Sequence, residues 1–217
     1  MFQIFPYLIA LLNVVGKFNS FDEVSDLMKV GVLALQGDFR EHIAAAENCG
    51  HTAIAVRRES ELAEVDCLIL PGGESTTIIH LAQTFGIYEP IKKRIAQGLP
   101  VYGSCAGMIL LAEKVIDGTP NQKTFGGLEI TVRRNAFGRQ VESFESELEF
   151  LGEKINAVFI RAPWVEEQSK NVTVLASAAG HPVAVQQGKV LATSFHPELT
   201  DELSVHRYFF DEICKAG

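Results

Sequence analysis

Residues 101–108 read VYGSCAGM, and the chain runs straight on into ILLAEKVI at 109–116. Val101-Tyr102 has the look of a strand and MILLAEKVI that of a helix, with Gly103-Ser104-Cys105-Ala106-Gly107 as the turn between them. A cysteine that only fills a core needs no glycine two residues away on both sides. A nucleophile raised on a tight strand-to-helix turn does, because small neighbours let the backbone reverse and let a substrate approach. The helix start adds unpaired N–H groups and the positive end of a dipole, which favour thiolate over thiol. The N–H of Ala106, next after the cysteine, is placed to donate to an oxyanion. On this local pattern alone, a structural cysteine and a nucleophile are equally good readings of Cys105.

Working outward, apolar runs alternate with helical stretches from Met28 onward. KVGVLAL reads as a buried strand, FREHIAAAENCG as a helix closed by Gly50, HTAIAVR and DCLIL as two more strands, the latter ending at Pro71. STTIIHLAQTFGIYEPIKKRIAQG is helical with breaks at Gly86 and Pro90, and LPVYG is the fourth strand. Such an order predicts an α/β fold, a mostly parallel, flavodoxin-like sheet flanked by helices. After about residue 124 the texture turns β-rich, with GGLEITVRR, AVFIRAP, VTVLAS and a hairpin in PVAVQQGKVLATSF turning near Gln187-Gly188. DELSVHRYFFDEIC closes the chain as an amphipathic helix. Without repeats or a linker, residues 28–217 read as a single domain, and residues 1–27 as an N-terminal extension or a miscalled start.

Composition bounds the function. The 217 residues are 47% hydrophobic and 21% charged, which suits one globular domain with a sizeable core. A formal net charge of −8 argues against nucleic acid and against anionic membrane as partners. The apolar start, MFQIFPYLIALLNVVG, is broken by Gln3, Pro6 and Asn13 and is too short for a membrane span. It also lacks the basic region and cleavage site of a secretory signal. The four cysteines, at 49, 67, 105 and 214, form no C-x-x-C pair and no metal-like spacing with histidine. Neither zinc nor a disulfide framework is expected, and a reducing, cytoplasmic compartment fits.

A cysteine nucleophile needs an imidazole, and the imidazole needs an orienting group. Of six histidines, His42, His51, His80, His181 and His206 read as surface or helix-end residues. His196, in TSFHPEL, stands at the end of an apolar strand, where parallel sheets gather their active-site loops. Pro197 biases it to extended backbone, so that Glu198, two residues on, falls on the same side and can hold its tautomer. The third piece is LILPGGESTT, a strand end, two glycines and a Ser75-Thr76-Thr77 helix cap. It has neither the lysine of a P-loop nor a G-x-G-x-x-G, but Gly73 could supply a second oxyanion N–H.

Taken together, Cys105 in G-x-C-x-G and His196-x-Glu198 resemble the class I, triad-type glutamine amidotransferases. More narrowly, LALQGD, LPGGESTT, GSCAGMILLA, RNAFGRQVESFE, FIRAP and SFHPELT resemble the glutaminase subunits of pyridoxal 5′-phosphate synthases, from about Met28 to the last helix. The resemblance implies hydrolysis of L-glutamine to glutamate and ammonia by Cys105, His196 and Glu198, with Gly73 and Ala106 as oxyanion donors. It assigns glutamine binding to Gly73, Glu74, Ser75, Arg134, Ile160 and Arg161. It implies no cofactor and no metal for this chain, and it implies a hetero-oligomeric partner, the synthase subunit that consumes the ammonia to build pyridoxal 5′-phosphate. It further implies low activity alone, with the Gly73 peptide misoriented until the synthase docks near Gln36 and Gly37. Two other readings share the fold: a hydrolase of another amide, and a catalytically silent regulatory subunit. A plain flavodoxin-like binding domain leaves the cysteine turn unexplained.

Overall fold

The computed structural model describes residues 27–120, 122–137 and 143–215, so nearly all of the expected extension lies outside it, as do Gly138–Gln140 of the RNAFGRQ motif. The chain opens with β1 (Lys29–Leu33), α1 (Phe39–Asn48), β2 (Thr52–Val56), a short α2 (Glu59–Leu62) and β3 (Cys67–Leu70). Next come α3 (Ser75–Thr84), α4 (Tyr88–Ala96), β4 (Val101–Ser104), α5 (Ala106–Leu111), β5 (Ala112–Ile116) and β6 (Leu128–Arg133). The β-rich half holds β7 (Ser143–Phe150), β8 (Glu153–Ile160), β9 (Trp164–Gln168), β10 (Thr173–Ala178), β11 (His181–Gln187) and β12 (Val190–Thr193). A 3-10 turn (Pro197–Leu199), α6 (Ser204–Tyr208) and its π-helical continuation (Phe209–Cys214) complete the order. Among the described residues no helix is long and apolar enough to cross a membrane.

The main sheet runs β10-β11-β12-β4-β3-β1-β2. Its five strands from β12 to β2 are parallel, and the antiparallel β10–β11–β12 meander extends one edge. Successive side chains point to opposite faces, and the apolar runs are buried on both. Leu68 and Leu70 of β3 and Val101 of β4 join the helices α3, α4 and α5 on one face. Cys67, Ile69 and Tyr102 join α1, the β7–β8 hairpin and the aromatic end of the last helix, Phe209 and Phe210, on the other. A three-stranded β5-β6-β9 sheet and the β7-β8 ribbon make up the added β-rich part.

Two local expectations change. MILLAEKVI is not one helix: it stays helical only to Leu111, and Ala112–Ile116 pair in parallel with β6. An apolar run of this length fits either state, and the β-branched Val115-Ile116 end goes to the strand. His196 does not sit in a continuing extended segment either. Pro197, pre-set in φ, starts the 3-10 turn directly after it.

Candidate active site

Four neighbouring strands, β12, β4, β3 and β1, end at one edge of the sheet, and each delivers one part of the site. β4 delivers Cys105, whose backbone sits at φ 47°, ψ −101°, a conformation that an L-residue adopts only when its surroundings impose it. The imposing contacts are visible. Cys105 N–H donates to Thr193 O of β12 at 2.8 Å, and Met108 N–H returns to Cys105 O at 3.1 Å. Gly103 and Gly107 make this turn fit. A Cβ on Gly103 would lie 2.6 Å from the Gly107 carbonyl carbon, and one on Gly107 2.3 Å from Leu70 O. The flanking glycines therefore serve close helix-to-strand packing.

β12 delivers His196 through Phe195, and His196 N–H is tied to Val158 O at 2.9 Å. Its Nδ1–H donates to Glu198 Oε1 at 2.8 Å, and the ring lines the same cavity as Cys105. Burial alone would lower the His196 pKa, but the Cys105 and Glu198 contacts outweigh it and push it up to about 10. Glu198 is itself buried, which favours the neutral acid, yet His42 and His196 hold its carboxyl well below the usual carboxylate range. The sulfur also faces Ile160 O of the FIRAP segment at 3.7 Å.

β3 delivers the Gly72-Gly73 loop. Gly72 passes so close under His196 that a Cβ there would meet its Cε1 at 2.4 Å. Gln36, just after β1, accepts from Glu74 N–H at 2.7 Å and so pins this loop to the docking side expected for Gln36 and Gly37. Glu74 also caps α3 through Thr76 N–H and pairs with Arg134 at 2.8 Å. Arg134 donates as well to Gln122, which donates to Ser75 Oγ at 3.0 Å. These groups wall a cavity of about 360 Å³. Cys105, Ala106, Gly73, Glu74, Ser75 and His196 line it, as do Arg134, Ile160 and Arg161, while Glu198 stands behind His196.

Sequence reasoning missed Asp38, Ile109 and Asn135, which share that lining. Asp38 ends the LQGD stretch, and its Oδ2 lies 3.7 Å from His196 Nδ1, with burial pushing its carboxyl up. Among the described residues, Asp38, His196 and Glu198 are the three whose ligand atoms cluster as a metal site would require. His196 Nδ1 and Glu198 Oε1 are already spent on each other, so the arrangement is that of a hydrogen-bonded pair. Sequence reasoning also misread His42 and His206. Both are fully buried beneath Glu198 instead of lying at a surface or helix end. The available signal was periodicity, since His42 shares the buried face of α1 with Ala45 and Ala46.

These groups set a pH dependence of stability. Burial and His42 push the His206 pKa down to about 3, so the unfolded chain takes up a proton there first, and stability falls as pH drops from about 6.5 towards 3. Glu198, held ionised when folded, withdraws more stability at the acid end of that window. His196, raised, stabilises fully below its ordinary value of 6.5 and loses that contribution as pH rises through about 10. Urea midpoints measured against pH should therefore peak near neutrality, and His206→Phe should flatten the acid side. A His206→Phe profile that keeps the wild-type acid slope would remove His206 as its cause.

A mostly parallel sheet that ends one strand on a strained cysteine, faced by a buried histidine–glutamate pair, is an α/β fold of the glutamine amidotransferase type. Residues 32–215 match the SNO glutamine amidotransferase family, and the chain belongs to that family. It is 59% identical over 194 residues to the pyridoxal 5′-phosphate synthase subunit PdxT of Kineococcus radiotolerans, covering 85% of this chain and 94% of that one. It is 57% identical over 190 residues to the subunit of the same name from Mycobacteroides abscessus, covering 87% and 98%. A crystal structure of a glutamine amidotransferase superposes with a TM-score of 0.80 at 52% identity, over 84% of this chain and 97% of the other. The structure of PurLQS from Thermotoga maritima shares the fold at a TM-score of 0.61 and 17% identity, over 84% and 97%.

Proposed function

We propose that this chain is the glutaminase subunit of a pyridoxal 5′-phosphate synthase, and that Cys105, His196 and Glu198 hydrolyse L-glutamine to glutamate and ammonia for the synthase subunit. Cys105 attacks the carboxamide carbon, and the proton it has given up, held by His196, passes to the departing ammonia. Glu198 holds the imidazole ring and its Nδ1 proton in place. Gly73 and Ala106 N–H groups receive the oxyanion, and water activated by His196 resolves the thioester, releasing glutamate. The single observation that carries this reading is the strained Cys105 backbone beside the His196–Glu198 pair, at the mouth of a cavity sized for a small molecule. Pyridoxal 5′-phosphate is the product of the complex and not a cofactor of this chain. Residues 28–217 act as one glutaminase domain in this proposal, supported by two cores that share one sheet.

Glu74, Ser75, Arg134, Ile160 and Arg161 hold the amino-acid end of glutamine. Arg134 is mostly buried and already oriented by Glu74 and Gln122, so its planar fork is pre-set for an α-carboxylate. Arg134→Ala should raise the glutamine KM by about tenfold or more while changing kcat less. An unchanged KM would take Arg134 out of the binding set. The experiment that tests the whole reading is ammonia release from glutamine with and without the synthase subunit. Release that strengthens on adding the synthase supports both chemistry and partnership. Release indifferent to it keeps the glutaminase and points to another acceptor. Absence of release in both conditions returns the silent-subunit reading.

A further inference from the structure

Behind Glu198 lies a buried polar chain that the hydrolysis steps leave unused. His42 on α1, Ser104 at the end of β4 and His206 on α6 are each fully buried. His42 Nε2 stands 2.9 Å from Ser104 Oγ and 3.4 Å from Glu198 Oε1. Its Nδ1 stands 3.0 Å from His206 Nε2. Ser104 O–H donates to the same Glu198 Oε1 at 3.3 Å.

The protons in this chain can be placed by counting. Ser104 has one, and it is given to Glu198, so Ser104 Oγ accepts from His42 Nε2–H. His42 Nδ1 then accepts from His206 Nε2–H. That leaves His206 Nδ1, which has no partner among the described residues, as a bare lone pair. The opposite tautomers would strand a buried N–H there, the rarer and costlier orphan. Every bond in the chain thus points the same way, from His206 to His42 to Ser104 and Glu198, and bonds so aligned polarise one another. Glu198 Oε2 is likewise buried without a partner among the described residues, so the carboxylate is held through Oε1, by His196 and Ser104, with His42 Nε2 at 3.4 Å behind them.

We infer that His42, its tautomer set by His206, is a positioning residue for glutamine hydrolysis: its Nε2–H, given to Ser104 Oγ, aims the Ser104 hydroxyl at Glu198 Oε1 and so fixes that oxygen against His196 Nδ1. The inference rests on the triad reading of Cys105, His196 and Glu198. Other groups facing these side chains are Asp38, from the start of α1, 3.7 Å from His196 Nδ1, and the Tyr102 ring, edge-on to His42 at 5.8 Å.

The test compares wild type, His42→Leu and His42→Gln in complex with the synthase subunit, by kcat, KM and the pH profile of kcat/KM. Glutamine places an amide N–H where Nε2–H stood and leucine offers none. His42→Leu is expected to lower kcat by about tenfold to a hundredfold, the weight of the Ser104 hydrogen bond to charged Glu198 that it leaves unaimed, with the glutamine KM nearly unmoved. The pH limb belonging to His196 should shift down by about one unit, and His42→Gln should recover most of both losses. A His42→Leu enzyme with wild-type kcat and pH limb overturns the inference, as does a His42→Gln enzyme no better than His42→Leu. Where His42→Leu does not fold, the wild-type full chain still decides by nitrogen NMR: His42 must carry its proton on Nε2 with Nδ1 bare, and the reverse tautomer overturns it. Cys105→Ala and Glu198→Gln run alongside. If they retain turnover, the triad reading has failed; if they are dead while His42→Leu is normal, only the role of His42 has failed.

Discussion

Cys105→Ala should abolish ammonia release from glutamine, by about four orders of magnitude or more, whether or not the synthase subunit is present. Cys105 is the nucleophile that the elbow places on the cavity wall, and His196, its proton partner, lines the same cavity. The other consequence is thermodynamic. Part of what keeps His196 charged to about pH 10 is its contact with Cys105, so the variant should lose less stability on the alkaline side than wild type. A second variant reads the backbone strain. Glycine tolerates φ 47°, ψ −101° far better than any residue with a Cβ, so Cys105→Gly should be more stable than Cys105→Ala by about 1 kcal/mol. Ammonia assays and urea unfolding at pH 7 and pH 9 check all three. Turnover surviving in Cys105→Ala would end the nucleophile reading, and equal stability of the two variants would mean that the turn stores no strain.

The elbow and the strand ends were legible because each leaves a local mark: glycines at fixed offsets and an apolar run with a polar stop. What escaped depends on partners far away in sequence. β7 carries a period-2 alternation, Phe144, Leu148 and Phe150 inward, but Glu145, Glu147 and Glu149 on its other face lower its strand propensity. Only its pairing with β8, from Ser143 against Ile160 to Phe150 against Glu153, makes it a strand. His42 and His206 are 164 positions apart and become one hydrogen-bonded pair only when α1 and α6 pack on the same face of the sheet. No local pattern says that a histidine among alanines will meet another among phenylalanines. Likewise, the pairing of His196 with Glu198 was expected for the wrong local reason. An extended segment would have put the two side by side, but a 3-10 turn brings them to 2.8 Å.

The role of the two glycines can be separated from that of the sulfur. Gly107→Ala should destabilise the protein by about 3 kcal/mol or more, a fall in Tm of about 6–12 °C, even though alanine is the better helix former. The added Cβ would lie 2.3 Å from Leu70 O and 3.2 Å from Leu70 C, and a backbone carbonyl inside a parallel sheet has no rotamer to yield. α5 must instead back away from β3. Because Cys105 opens α5 while Gly72 and Gly73 follow directly on β3, the retreat also widens the gap between the nucleophile and the oxyanion loop, and turnover should fall with stability. Gly103→Ala pushes on the same turn of α5 from β4, at 2.6 Å from the Gly107 carbonyl carbon, so once α5 has backed away the double variant should cost less than the sum of the singles. Thermal melts of the three variants, with glutamine turnover measured well below each Tm, decide the matter. Gly107→Ala melting within a degree or so of wild type would show that room for the substrate, not the seating of the helix on the sheet, is why glycines flank Cys105.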